Sequence, residues 1–311
     1  MENNEKNIEK VIILGSGPAG LSAAIYAARA ELNPLLFTGA AVGGQAALTA
    51  VIENYPGFPE GVGGNQLADL FTKNAEKFGA RFEYDAVTAV DLSKRPFKVT
   101  TYGKEYFTQS LIITTGASSN KLNVAGEKEL IGRGVSYCAT CDGWFFKDKK
   151  VAVVGGGDSA LEEGLFLTRY ATSVTIIHRR NELRAGVLLQ KRARENPKIF
   201  FIWDTVVKEI EGKDAVTALQ LKNVKTGEIT AMAADGIFVF IGHSPNTELF
   251  QDSLLLDEMN YIRVDDRMRT NIPGVFAAGE VADSHYRQVV TSAGMGAAAA
   301  IEATRFLETE E

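Results

Sequence analysis

Two stretches of this 311-residue chain share a pattern that few folds accommodate: a short apolar run, a glycine-rich turn, then a helix-forming segment. The first is "VIILGSGPAGLSAAIYAARA". Residues 11–14 make a largely β-branched strand of the kind buried in a parallel sheet, and Gly15, Gly17 and Gly20 follow in G-x-G-x-x-G spacing. In such a turn the first glycine allows the tight bend, the second lets the backbone approach a pyrophosphate, and the third lets helix pack on strand. The helix N-terminus then offers unpaired N–H groups to an anion. The second copy is "KVAVVGGGDSALEEGLFLTRY", with residues 151–154 as the strand and Gly155, Gly157 and Ala160 at the three small positions. One motif alone is weak evidence, but two complete strand–turn–helix units predict an α/β chain with two Rossmann-like dinucleotide-binding domains.

The positions about 20 residues further on separate the nucleotides, because an NAD site places an acid there for the ribose 2′-hydroxyl. After the second motif, strand 174–177 runs into His178, Arg179 and Arg180, with Arg184 shortly after. An acid would repel a 2′-phosphate, whereas guanidinium forks bind one at two points, so this site is expected to take NADP(H). After the first motif, strand 35–37 ends in Thr38 and Gly39, with neither acid nor arginine. Its ribose contact is therefore not readable from spacing. The adjoining "TGAAVGGQ", which holds Gly44 and Gln45, reads equally as a surface loop or as a bed for a phosphate or flavin ring.

Two further segments, "LIITTGA" with Thr115 and Gly116 and "IPGVFAAGEVAD" with Gly279, are short apolar strands ending at glycine. Their order predicts one domain made from both ends of the chain, 1–117 and 247–311, with the other, 118–246, inserted. The crossings are placed at "ASSN" and "HSPNTE", where turn formers cluster.

Composition narrows the class. The chain is 45% hydrophobic and 23% charged with a net charge of −6 and no long basic run, which describes a globular protein with no nucleic-acid partner. The opening "MENNEKNIEK" has the character of neither a secretory signal nor a transit peptide. No apolar run approaches the roughly 20 residues of a membrane span. A soluble cytoplasmic protein without a membrane partner is the expectation.

The only two cysteines, Cys138 and Cys141, stand in "SYCATCDGWFF". A structural zinc needs four ligands, and three scattered histidines do not complete the set, so no metal is expected. The C-x-x-C spacing lowers one thiol pKa and closes a small reactive disulfide, which beside two dinucleotide sites predicts a redox-active dithiol. Thiolate attacks disulfide and the leaving thiolate takes a proton. Asp142 is adjacent to supply it, although a surface Asp in a turn has the same signature.

In sequence order, "GSGPAG", "GGQ" at 43–45, "ENYPG" at 53–57, "CATCD" at 138–142, "GGGDSALEE" at 155–163, "HRR" at 178–180, "IGHSPN" at 241–246 and "YRQ" at 286–288 closely resemble the low-molecular-weight thioredoxin reductases from about residue 10 to residue 307. The resemblance implies a homodimeric flavoprotein with FAD in the first site and NADPH in the second. It carries FAD contacts onto Gly15, Ser16, Gly17, Pro18, Ala19, Gly20, Thr38, Gly39, Gly44, Gln45, Asn54, Val87, Thr115, Gly116, Gly279, Glu280, Arg287, Gln288 and Val289. NADPH contacts fall on Gly155, Gly157, Asp158, Ser159, Ala160, His178, Arg179, Arg180 and Arg184. Cys141 would face the flavin, Cys138 would attack the disulfide of thioredoxin, and Asp142 would be the general acid. Rotation of the inserted domain about its linkers would let one dithiol serve both. Trp144 and Phe145 are similar to the family's thioredoxin-docking loop, with ordinary core as the other reading.

One departure concerns the residue after Gly279, usually Asp in this family and here Glu280, with Asp283 three residues on as an alternative carboxylate. A relative with another protein acceptor, or a non-catalytic flavin redox sensor, are the competing functions.

Overall fold

In the computed structural model, residues 8–310 are described, apart from 40, 41, 48, 50, 51, 53 and 138. They form two compact units, one from the chain ends through Ser118 and from Ser244, the other running Ser119–His243.

The first unit is built on a mixed sheet. Its parallel strands lie in the order Arg81–Glu83, Leu35–Phe37, Ile8–Leu14 and Glu105–Ile113. Val275–Ala277, from the far end of the chain, pairs in parallel with Leu111–Ile113. Phe97–Thr101 and Val87–Asp91 extend the sheet antiparallel from the first half of the Glu105–Ile113 strand. Val11, Ile12 and Ile13 are fully buried, as strands covered on both faces require. One covering layer pairs the Pro18–Arg29 helix with the long Val289–Glu310 helix. Their contact is rich in alanine, with Ala23, Ala24, Ala27, Ala299, Ala300 and Ala303 in one core, so the two backbones approach closely.

The second unit holds a five-stranded parallel sheet in the order Ile199–Ile202, Ser173–Ile177, Lys150–Val154, Gly236–Val239 and Val135–Ser136. A three-stranded antiparallel sheet, Thr205–Gly212, Val216–Asn223 and Ile229–Ala233, stands beside it. Because every strand of the larger sheet runs the same way, the glycine turn after Val154, the basic stretch after Ile177 and the chain leaving Ser136 at Tyr137 all emerge at one edge. Ligands of open parallel sheets bind at that edge.

The two crossings, Ala117–Ser119 and His243–Pro245, pair as a two-stranded ribbon. Asn246 secures the first unit's side. Its amide N–H donates to the Gly116 carbonyl at 2.9 Å, its side-chain NH₂ to the Thr115 carbonyl at 2.8 Å, and its side-chain oxygen accepts from the Ser118 hydroxyl at 2.7 Å. In the second unit the Asn120 N–H donates to the Gly242 carbonyl at 2.9 Å. Among the described residues no helix is long and apolar enough to cross a membrane.

Candidate functional site

A cavity of about 450 Å³ opens in the first unit over the glycine turn. The strand ends hold that turn: the Gly15 N–H donates to the Phe37 carbonyl at 2.9 Å and the Ser16 hydroxyl to the Thr38 carbonyl at 3.0 Å. Its walls bring together Gly15–Ala19, Thr38, Gly44, Gln45, Thr115, Gly116, Gly279, Glu280 and the run 287–289. The loop at 44–45 is therefore part of a cavity wall. Asn54 stands outside the lining, but its NH₂ donates to the Gln288 side-chain oxygen at 2.9 Å across 234 residues of chain. Gly20 and Gly39 lie outside it too. So does Val87, which begins an edge strand and packs on a core with Phe37 and Val99.

The cavity suits a dinucleotide phosphate on structural grounds. The Pro18–Arg29 helix starts with no side-chain cap and no acid in its first turn, so its leading N–H groups are available to an anion. A Cβ built on Gly17 would meet nothing within 4 Å, so no protein neighbour demands glycine there. The open space faces the cavity, where a bound group would need it. Thr114 was missed by motif reasoning. It lines the same cavity, and its hydroxyl donates to the Leu14 carbonyl at 2.8 Å.

Glu280 is a carboxylate on the cavity wall, and Asp283 is not its substitute. Both Asp283 oxygens are engaged, accepting from the N–H groups of His285 at 2.8 Å, Tyr286 at 2.9 Å and Arg287 at 3.0 Å, which shapes the "YRQ" turn. Burial pushes the Glu280 carboxyl above its ordinary value of 4.5; the Arg287 charge opposes the shift and Asp283 adds to it. A raised folded pKa means that the ionised form costs stability, a cost present above the unfolded pKa and lost as pH falls below it. Glu280→Gln should therefore raise the thermal midpoint of flavin-free protein at pH 7–8. The gap should close as the pH approaches 4. A gap that did not change with pH would assign the effect to packing instead.

In the second unit the Asp158–Leu167 helix follows the turn at Gly155–Gly157, with Asp158, Ser159 and Ala160 in its first turn. The Asp158 carboxylate accepts from the Gly186 N–H at 2.7 Å, which engages it away from the helix N-terminus. A Cβ on Gly157 would meet only an Arg184 nitrogen, at 4.0 Å, repeating the open space of the first unit. Gly156 has a different reason: its Cβ would strike the His178 ring at 2.4 Å. His178 is buried beneath the turn, and burial holds its pKa below the ordinary 6.5, with Arg184, Arg179 and Arg180 lowering it further against the Glu182 backbone. It is thus neutral at pH 7 and supports the turn. Arg179, Arg180 and Arg184 instead line a second cavity of about 360 Å³.

Cys138 lies outside the described residues, as do the side chains of Thr140 and Cys141. What flanks them is clear. The Ser136 hydroxyl donates to Asp142 at 2.6 Å, across the short Ala139–Asp142 helix. The Tyr137 hydroxyl donates to Glu127 at 2.8 Å, and the other Glu127 bonds come from the N–H groups of Leu122 and Asn123 at 2.8 and 2.6 Å. That buried carboxylate joins the segment entering the unit to the residue before Cys138. Trp144 and Phe145 are 66% and 64% exposed, so the core reading fails for both. Phe146 fills the core instead, edge-on to Phe238 at 5.1 Å.

Two glycine-turn units, together with a C-x-x-C in the sequence, define a pyridine nucleotide-disulphide oxidoreductase, and the chain matches that family over residues 9–296. It is 50% identical over 304 residues to the thioredoxin reductase of Streptomyces coelicolor, covering 97% of this chain and 94% of that one. A bifunctional thioredoxin reductase/thioredoxin of Mycobacterium leprae is 48% identical over 305 residues, 97% of this chain and 66% of that one. The crystal structure of Lactococcus lactis thioredoxin reductase superposes with a TM-score of 0.88 at 47% identity, covering 97% of this chain and 99% of that chain. The chain belongs to the thioredoxin reductases.

Proposed function

We propose that this enzyme is an NADPH-dependent thioredoxin-disulfide reductase, with FAD in the first unit, NADPH in the second and Cys138–Cys141 as the exchanging dithiol. The observation that carries the reading lies within the second unit. The glycine turn, the arginines and the chain at Tyr137, next to Cys138 in sequence, leave the same parallel sheet at the same edge. Support for thioredoxin comes from the relatives, one of which carries a thioredoxin in the same chain. A homodimer in the cytoplasm completes the proposal, on the family resemblance.

NADPH and FAD together supply the electron pair that opens the Cys138–Cys141 disulfide. The residues of the chain do the rest. The Cys138 thiolate attacks one sulfur of the partner disulfide, forming a mixed disulfide and releasing a partner thiolate, which takes a proton from Asp142. The Cys141 thiolate then attacks the Cys138 sulfur, closing the intramolecular disulfide and releasing the second partner thiolate. The Ser136 hydroxyl orients the Asp142 carboxyl for its part. Trp144 and Phe145, joined edge-to-face at 5.8 Å, offer the partner an exposed aromatic surface. The paired crossing strands are the hinge about which one dithiol serves two partners in turn.

The test is oxidation of NADPH and of NADH by the purified flavoprotein, with and without thioredoxin. Fast NADPH turnover that requires thioredoxin is expected. Flavin bleaching without thioredoxin turnover would keep the donor and reject the acceptor. No reaction with either nucleotide would reject the relay and leave a redox sensor.

A further inference from the structure

The arginine-lined cavity contains charges that the nucleotide motif does not predict. Among the described residues, the guanidinium groups of Arg179, Arg180 and Arg184 have no hydrogen-bond or ion-pair partner. Three unpaired guanidinium groups around one space make an anion site. The same cavity also receives Asp204, Val224 and Lys225. Asp204 turns the chain between Ile199–Ile202 and Thr205–Gly212 in the left-handed region, at φ 51°. Its N–H donates to the Arg180 carbonyl at 3.3 Å, which ties it to the arginine stretch. Lys225 sits in the turn after Val216–Asn223, in the separate antiparallel sheet. The Val224 N–H donates to the Asp204 carbonyl at 2.7 Å, and the Lys225 ammonium meets the Asp204 carboxylate at 2.9 Å.

Asp204 is a liability in an anion site. Its side chain is only 18% exposed, so it cannot turn away into solvent, whereas the exposed Glu182 can. Unmatched, it would cancel one of the guanidinium charges that a 2′-phosphate needs. Lys225, 61% exposed, brings the compensating charge from another sheet and leaves all three arginines free.

We propose that Lys225 is a specificity-determining residue for the 2′-phosphate of NADPH, neutralising Asp204 so that the full charge of the three guanidinium groups acts on the phosphate. This rests on the reading of the second unit as the NADPH unit. A nucleotide without the 2′-phosphate places no such charge there, so the effect is confined to NADPH.

The experiment compares KM for NADPH and for NADH in thioredoxin reduction by the holoenzyme. Lys225→Ala is expected to raise the ratio of KM for NADPH to KM for NADH about fivefold, less at high salt, where charges are screened. Lys225→Arg should keep the wild-type ratio. Adding Asp204→Asn to Lys225→Ala should recover most of the loss, and Asn tolerates the left-handed backbone at 204. An unchanged ratio in Lys225→Ala, or no recovery in the double variant, would overturn the proposal. Arg179→Ala is the control on the underlying assignment, expected to raise the ratio at least tenfold. If Arg179→Ala weakens both nucleotides equally, the nucleotide assignment fails and the role of Lys225 falls with it.

Discussion

Replacing Cys138 with serine is expected to leave the flavin reducible by NADPH while thioredoxin-dependent turnover falls to background, a loss on the order of a thousandfold or more. The serine hydroxyl keeps the size of the side chain but is not ionised at neutral pH, and only a thiolate attacks a disulfide sulfur at a useful rate. Nothing else in the chain replaces it, since Cys141 is the sole other cysteine. The two half-reactions separate by measurement. Stopped-flow bleaching of the flavin reports electron entry, and reduction of insulin through thioredoxin reports exit. Persisting exit in Cys138→Ser would refute the relay. Loss of both halves would place Cys138 in flavin binding or folding instead.

Gly17→Val tests the other end of the relay with comparable force. The backbone at Gly17 has φ −66° and ψ 179°, open to any residue, and a Cβ there touches no protein atom within 4 Å. The chain should therefore fold with its ordinary stability. The added methyl groups would occupy the space over the helix N-terminus where a pyrophosphate approaches. Flavin affinity should fall roughly a hundredfold, about 2.7 kcal/mol, and the protein should purify nearly colourless. A fully yellow Gly17→Val protein would show that the pyrophosphate does not lie on this turn. A protein that failed to fold would contradict the open geometry itself.

The two cavities differ in how legible they were. The glycine turns, the small residue at the third position and the arginine stretch after Ile177 are fixed by spacings of a few residues, so each could be read off the chain. Glu280 was legible as a departure, but whether Asp283 could replace it depended on where the N–H groups of residues 285–287 point. Trp144 and Phe145 were ambiguous for a similar reason. Three consecutive aromatics have no period that says which one is buried, and the packing of Phe146 on Phe238 resolves it.

By itself the sequence determined the two strand–turn–helix units and marked the C-x-x-C pair and the arginine stretch as the candidates for dithiol and nucleotide contacts, because each depends on neighbours along the chain whose geometry is set by local backbone preference. Tertiary structure alone decided the pairing of Asn54 with Gln288 across 234 residues, the anchoring of the crossing by Asn246 across 131, and the meeting of Lys225 with Asp204. Those contacts join segments that only a folded sheet brings together. A charge or amide on a turn carries no local mark of its distant partner; the partner is set by where the strand ends fall, which is a property of the whole fold.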